Sequence, residues 1–275
     1  MAQAAATTSE KKEERLATQG LLAKQLTRPE VGALIGAFGV YLIFAIFADG
    51  FAGFGGFARY TDQASHIGIM ATFVAFLMIG GEFDLSSGIM TGSAGLSFTM
   101  LATPEPTGFD LPIWVALLGS LLLAIAVGLF NGYMVTKTKL GNWIQAIGGD
   151  SEAARGVGVP VDRVKIGLFV ATSMGAWLVG LIQAFENNGV TSVAGRQQEF
   201  IYIIAAVIGG CLLTGGYGSI IGAAIGALVF GMTRTGVTFA GWETDWFWTF
   251  MGVMLLLAVV INNFVSTQAK KVRAK

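Results

Sequence analysis

Long apolar segments separated by short polar stretches constrain this chain before any other feature does, because a helix crossing a bilayer needs about 20 mostly apolar residues. Val31–Ala48, Ile113–Met134, Ile166–Phe185 and Trp246–Phe264 each suit one crossing, while His66–Ala102 and Ile201–Val237 are each long enough for two. Composition agrees: 54% of residues are hydrophobic and 12% charged, against about 25% charged in soluble domains. The expected fold is all-α, a polytopic transmembrane helical bundle of about eight spans with broken, Gly-rich helices. The 39 glycines predict close helix packing.

Charge placement tests the count. Of the 17 basic residues, 14 fall in residues 1–30, in the loop 137–165 or in the tail Lys270–Lys275. Eight spans put all three regions on one side, which the positive-inside rule makes cytoplasmic. The opposite loops are then expected to hold Asp49, Asp62, Glu105, Asp110, Glu186, Glu199, Glu243 and Asp245 against Arg59 and Arg196. Residues 1–30 lack the unbroken apolar core of a signal peptide, so a retained cytoplasmic N-terminal segment is expected, followed by a membrane domain over 31–265 and a cytoplasmic tail over 266–275. Arg234, near the end of the seventh span, is expected to snorkel to the interface.

Both double segments are interrupted by glycines, at Gly80-Gly81-Glu82-Phe83-Asp84-Leu85-Ser86-Ser87-Gly88 and at Gly209-Gly210 through Gly215-Gly216-Tyr217-Gly218. Each break is either a turn or a re-entrant, broken helix. Broken helices at matching places in two halves are how many transporters line their pathway, which makes Gly81, Glu82, Asp84, Ser86, Gly209, Gly210, Gly215 and Gly216 candidate pathway residues. A carboxylate at membrane depth costs several kcal/mol unless something accounts for it. For Asp84 the favoured account is capping of the next helix; the role of Glu82 stays open. Small residues four apart, Gly88/Gly92 and Gly218/Gly222/Gly226, predict close backbone approach, as do Gly32/Gly36 and Gly128/Gly132.

Gly149-Asp150-Ser151-Glu152-Ala153-Ala154-Arg155-Gly156-Val157-Gly158 is a small-residue polar loop with two acids and one base. Lipid solubility does not call for it, so it is expected to dock something outside the membrane. Zero formal net charge argues against nucleic acid as a partner. The lone His66 and Cys211 make no metal-site spacing and are expected to be packing residues. No phosphate-binding loop, His-Glu-x-x-His or Gly-x-Ser-x-Gly is present, so no enzyme and no ATP site is expected on this chain.

Three ordered motifs resemble the permease subunits of bacterial ATP-binding-cassette (ABC) importers of the ribose and simple-sugar type, within the branched-chain amino acid/ribose permease superfamily. The 80–88 break is similar to that family's Gly-Gly-x-Asp-Leu-Ser-x-Gly signature with one extra residue before the Asp. Ala146-Ile147-Gly148-Gly149-Asp150-Ser151-Glu152-Ala153-Ala154-Arg155 resembles its Ala-Ile-Gly-Gly-Asn-x-x-Ala-Ala-Arg loop, and Ala205-Ala206-Val207-Ile208-Gly209-Gly210 with Gly215-Gly216-Tyr217-Gly218-Ser219 its third block. The resemblance implies a monosaccharide importer permease in the bacterial inner membrane. Asp150, Glu152, Ala153, Ala154, Arg155 and Gly158 would couple to a cytoplasmic ATPase that holds the ATP. An extracytoplasmic sugar-binding protein, a second permease copy and the lipid bilayer would be the other partners. A departure accompanies it: Asn131-Gly132-Tyr133 runs almost directly into Gly141-Asn142-Trp143, as though a stretch near residues 136–141 had been removed. Two other readings stay open, an autonomous secondary transporter or channel and a transport-inactive truncated permease.

Overall fold

The computed structural model describes residues 29–137, 155, 156, 158 and 160–273. It contains eight helices among them: α1 Pro29–Phe47, α2 Phe54–Ile79, α3 Ser87–Ala102, α4 Ile113–Lys137, α5 Val161–Glu186, α6 Gln198–Ile208, α7 Ile220–Phe239 and α8 Asp245–Arg273. All eight expected helices are found, and five of them (α1, α2, α4, α5 and α7) are long and apolar enough to cross a membrane. At 1.5 Å per residue, the 16 residues of α3 and the 11 of α6 reach about 24 and 16 Å, short of a hydrocarbon core of about 30 Å.

Two boundaries differ from expectation for physical reasons. Phe54 starts α2 twelve residues before His66, so Arg59 and Asp62 sit on the helix rather than in a loop. The early turns are held by packing, with Tyr60 against Phe51 at 5.3 Å between rings and the Arg59 guanidinium 5.5 Å over Phe239. At the other boundary α6 begins at Gln198, three residues before the expected Ile201, so that Glu199 lies on the helix. The tail expected at 266–275 continues α8 in helical form as far as Arg273.

The central element is α7, whose apolar window is 67% buried against 22% for α1 and for α4. It packs on α2, α1 and α6, while α5 holds α4 and α3. Membrane helices gain little from the hydrophobic effect against one another and associate instead by close backbone contact over small residues. A Cβ on Gly226 would stand 2.0 Å from the Ala205 carbonyl, one on Gly231 2.2 Å from that of Tyr60, and one on Gly180 2.2 Å from that of Thr91. The four-residue spacing of Gly128 and Gly132 does the same work, each Cβ position lying 2.7 Å from the α5 backbone at Val170 or Ile166. The outward faces are apolar, with Ile35, Phe38, Leu122, Phe130 and Leu256 all exposed, as lipid contact requires.

Gly32 and Gly36 depart from the expected packing role: no atom lies within 4 Å of their Cβ positions. With Gly39 they border an open apolar groove beside Met254 and Leu257. Arg234 is exposed on α7 and has no ion pair among the described residues.

These contacts make an asymmetric test. Gly180→Leu is expected to destabilise the bundle by at least about 1–3 kcal/mol through overpacking, lowering the thermal unfolding midpoint of the detergent-solubilised protein. Gly36→Leu, facing open space, should leave that midpoint unchanged.

Candidate functional site

The two glycine breaks end their helices in one way and then meet. At the end of α2, Gly81 (φ +81°) donates its N–H to the Met78 carbonyl at 2.9 Å and Glu82 N–H reaches back to Leu77 at 3.1 Å. At the end of α6, Gly210 (φ +97°) donates to Val207 at 2.9 Å and Cys211 to Ala206 at 3.0 Å. This is the left-handed helix stop that satisfies orphan carbonyls and favours glycine. Across the bundle, Gly216 N–H donates to the Ile79 carbonyl at 3.0 Å, and a Cβ on Gly215 would lie 2.6 Å from Gly81 Cα. Gly209 is pressed on the first turn of α7, its Cβ position 2.3 Å from Gly222.

Charge is neutralised at the same place. Glu82, 4% exposed, pairs with Lys165 of α5, whose side chain is 9% exposed. Neither could stay in a low-dielectric setting alone. Seven residues apart on the chain, Arg155 donates from Nη2 to Asp162 Oδ1 at 2.7 Å, tying the polar loop to the first turn of α5. The second break is held by Ser219, which donates to Glu30 Oε1 at 2.6 Å and accepts from Gly222 N–H at 3.2 Å. That capping hydroxyl starts α7.

Asp84 forms a separate local group. Its Oδ1 accepts from Ser86 N–H at 2.8 Å and from Ser86 Oγ at 2.6 Å, while Ser87 Oγ donates to the Asp84 carbonyl at 2.9 Å. Asn131 Nδ2 of α4 donates to Ser86 Oγ at 2.7 Å. The carboxylate therefore shapes the chain just before α3, holding the residue that begins the helix rather than bonding the amides of its first turn. Lys165, Asn131 and Glu30 are the partners that motif reading missed. A usable signal existed for the first, since a carboxylate amid apolar residues demands a cation and Lys165 stands at the edge of an apolar run.

Of the expected pathway residues, Gly81, Glu82, Gly215 and Gly216 come together, Gly209 and Gly210 adjoin them, and Asp84 and Ser86 lie apart with Asn131. Of the expected coupling residues, Asp150, Glu152, Ala153 and Ala154 lie outside the described residues; Arg155 and Gly158 are exposed, with Gly158 N–H donating to the Arg155 carbonyl at 3.0 Å. Glu199 corrects an expectation. It occupies the first turn of α6, not an outer loop, and its Oε2 abuts Gly88 of α3, because stretch 187–197 folds back along α3 before the helix begins. Glu186 is exposed and pairs with His66 at 3.2 Å, which gives that histidine a partner beyond simple packing. Cys211 is buried and free.

Residues 133–259 match the family described as branched-chain amino acid transport system / permease component. The chain is 32% identical over 200 residues to the ribose import permease protein RbsC of Escherichia coli (strain K12), covering 70% of this chain and 60% of that one. It is 36% identical over 143 residues to the xylose transport system permease protein XylH of Escherichia coli (strain K12), covering 52% of this chain and 36% of that one. With the fructose import permease protein FrcC of Rhizobium meliloti it shares 32% over 133 residues, 48% of this chain and 37% of that one. The chain thus spans about 60% of the ribose permease and less of the others. No solved structure matches it. The matching family and proteins are named as transport permeases.

The buried pair yields a double-mutant cycle. Glu82→Gln or Lys165→Met alone is expected to cost about 3–5 kcal/mol by stranding its partner's charge. The combined variant should cost clearly less than the sum, measured by thermal unfolding in detergent with tryptophan fluorescence.

Proposed function

We propose that the chain is a permease of the simple-sugar type of ABC importer and that it moves a monosaccharide into the cytoplasm on energy from a separate ATPase subunit. The observation that carries this reading is an unbroken path of contacts from the polar loop to both helix breaks. Arg155 clasps Asp162, Lys165 one turn further along α5 holds Glu82, and Gly81 beside Glu82 lies against Gly215 of the second break. A partner that shifts residues 150–158 would move the start of α5. The buried pair would then carry that shift to Gly81, Gly215 and Gly216, where left-handed glycines let helix ends re-pitch.

In this reading Asp150, Glu152, Ala153, Ala154, Arg155 and Gly158 form the ATPase-docking surface: small residues permit close seating and flanking charges fix register. Gly81, Glu82, Gly209, Gly210, Gly215 and Gly216 form the hinge of the translocation pathway, and Asp84 with Ser86 sets the start of α3. The acidic residues Glu105, Asp110, Glu186 and Glu243 would face an extracytoplasmic sugar-binding protein, and a second permease copy would complete the pathway. The clustering of basic residues supports an inner-membrane location with both termini cytoplasmic. Pentoses and hexoses are the substrate class supported by relatives named for ribose, xylose and fructose.

The near-direct run of Asn131-Gly132-Tyr133 into Gly141-Asn142-Trp143 motivates one second reading, a permease that inserts but does not transport. Reconstitution separates the two. Co-expressed with the ATPase and binding protein of a simple-sugar importer, the chain is expected to take up labelled ribose, xylose or fructose with stimulated ATP hydrolysis; an ATPase that docks yet is stimulated by none of them establishes the inactive reading. Glu152→Lys and Ala154→Trp are expected to weaken ATPase co-purification at least about tenfold, as disruption at the centre of a small interface does, with membrane insertion unchanged. Normal co-purification of both variants would overturn the docking assignment.

A further inference from the structure

The stretch Asn187–Gln197 is not helical, yet it runs deep along α3. Val190 touches the Cβ position of Gly95, the Ala194 carbonyl lies 1.9 Å from that of Gly92, and the Gly195 Cβ position is 2.1 Å from the Gly88 carbonyl. Gly92 stands ten residues from the far end of α3 at Ala102, about 15 Å along the helix at 1.5 Å per residue. Between this stretch and α3 lies a cavity of about 120 Å³ whose polar lining is Ser93, Thr191, Ser192 and Arg196 and whose apolar lining includes Ile89, Leu96 and Val193, with room for several waters. Thr191, Ser192 and Arg196 are exposed, and Arg196 has no ion pair among the described residues.

Hydrocarbon is a costly neighbour for the polar part of this lining. Irregular backbone at membrane depth persists only where protein or a water-filled cavity covers it, and an unpaired guanidinium in hydrocarbon carries a penalty of several kcal/mol. Three hydroxyls and one guanidinium supply both donors and acceptors with a single positive charge. That mixture suits a neutral, hydroxyl-rich solute, whose hydroxyls donate and accept in turn, better than an anion. We propose that this cavity is a water-filled station for a monosaccharide on its way across the membrane, with Arg196 and Ser93 contacting the sugar hydroxyls. The inference rests on the sugar-permease reading for its solute and adds to it a place of contact outside the helix breaks.

Cysteine accessibility tests it in the full chain carrying Cys211→Ala, reconstituted with its ATPase and binding protein. Ser93→Cys and Thr191→Cys are each labelled with a charged methanethiosulfonate, with Leu122→Cys as the lipid-facing control. Labelling is expected at positions 93 and 191, slowed at least about threefold by millimolar ribose, xylose or fructose, as occlusion by a bound solute requires. Failure of the charged reagent to label beyond the control, or labelling that none of the three sugars slows, overturns the station. Uptake measured on the same vesicles keeps the two ideas apart. Uptake by the Cys211→Ala parent without labelling defeats the station alone, whereas sugar-protected labelling without uptake leaves the station standing and defeats the transport reading. Arg196→Gln is expected to reduce uptake at least about tenfold, as loss of a polar contact in a hydrogen-bonding site does, while ATPase co-purification stays normal; unchanged uptake would also overturn the assignment.

Discussion

Hydrocarbon offers no hydrogen bonds, and that single constraint governs most of this structure. Every backbone amide and carbonyl at membrane depth must find a partner within the protein or face enclosed water. The five long helices satisfy it internally. The two breaks cannot, and their solution is to close each helix with a left-handed glycine turn and lean the second break on the first through Gly216 and Ile79. Glycine is required twice over: once for the positive φ at Gly81 and Gly210, and once because Gly215 and Gly81 leave no room for a side chain between them. Close approach, more than burial of apolar area, then holds the helices together.

The same constraint explains the charges. Glu82 and Lys165 could not be buried singly, and burying them as a pair stabilises little in itself once the desolvation of both is counted. What the pair contributes is position. It ties the second turn of α5 to the segment that links α2 with α3, two pieces of chain that sequence separates by more than eighty residues. Arg155 and Asp162 extend that tie to the edge of the polar loop with a more exposed, weaker contact. Polar contacts also join the spans, with Trp177 Nε1 donating to Ser120 Oγ between α5 and α4, and the positive-φ glycines at the break ends are where the backbone adjusts most easily.

Much of the fold was legible because hydropathy and small-residue spacing act locally. The helices of the bundle, the glycine stops and the close approach at Gly88/Gly92 and Gly222/Gly226 all follow from residues near one another in sequence. Their partners do not. Gly88 and Gly92 receive not a helix but the irregular stretch around Gly195, and nothing local announces that this stretch turns inward instead of staying at the surface. Glu199 was misplaced for that reason: counting charges between spans treats every interspan segment as a loop outside the membrane. Lys165 likewise belongs to a basic cluster by sequence and to Glu82 by structure.

The unequal helices flanking the breaks bear on how the halves could move. Before the first break stands α2 with 26 residues and after it α3 with 16; before the second stands α6 with 11 and after it α7 with 20. The long member of each pair, α2 and α7, packs on the other in the most extensive contact of the bundle, so these two form the frame. The short members lie together elsewhere, with the first turn of α3 against the first turn of α6 at Gly88 and Glu199. Both short helices thus begin deep in the protein, with their positive dipole ends beside the Glu199 carboxylate. Short elements with few turns to disengage, joined to the frame by glycine stops, can tilt without breaking the contacts of α2 with α7. Movement in such an architecture would be carried by α3, α6 and the stretch 187–197 between α5 and α6, which is also where the polar cavity lies.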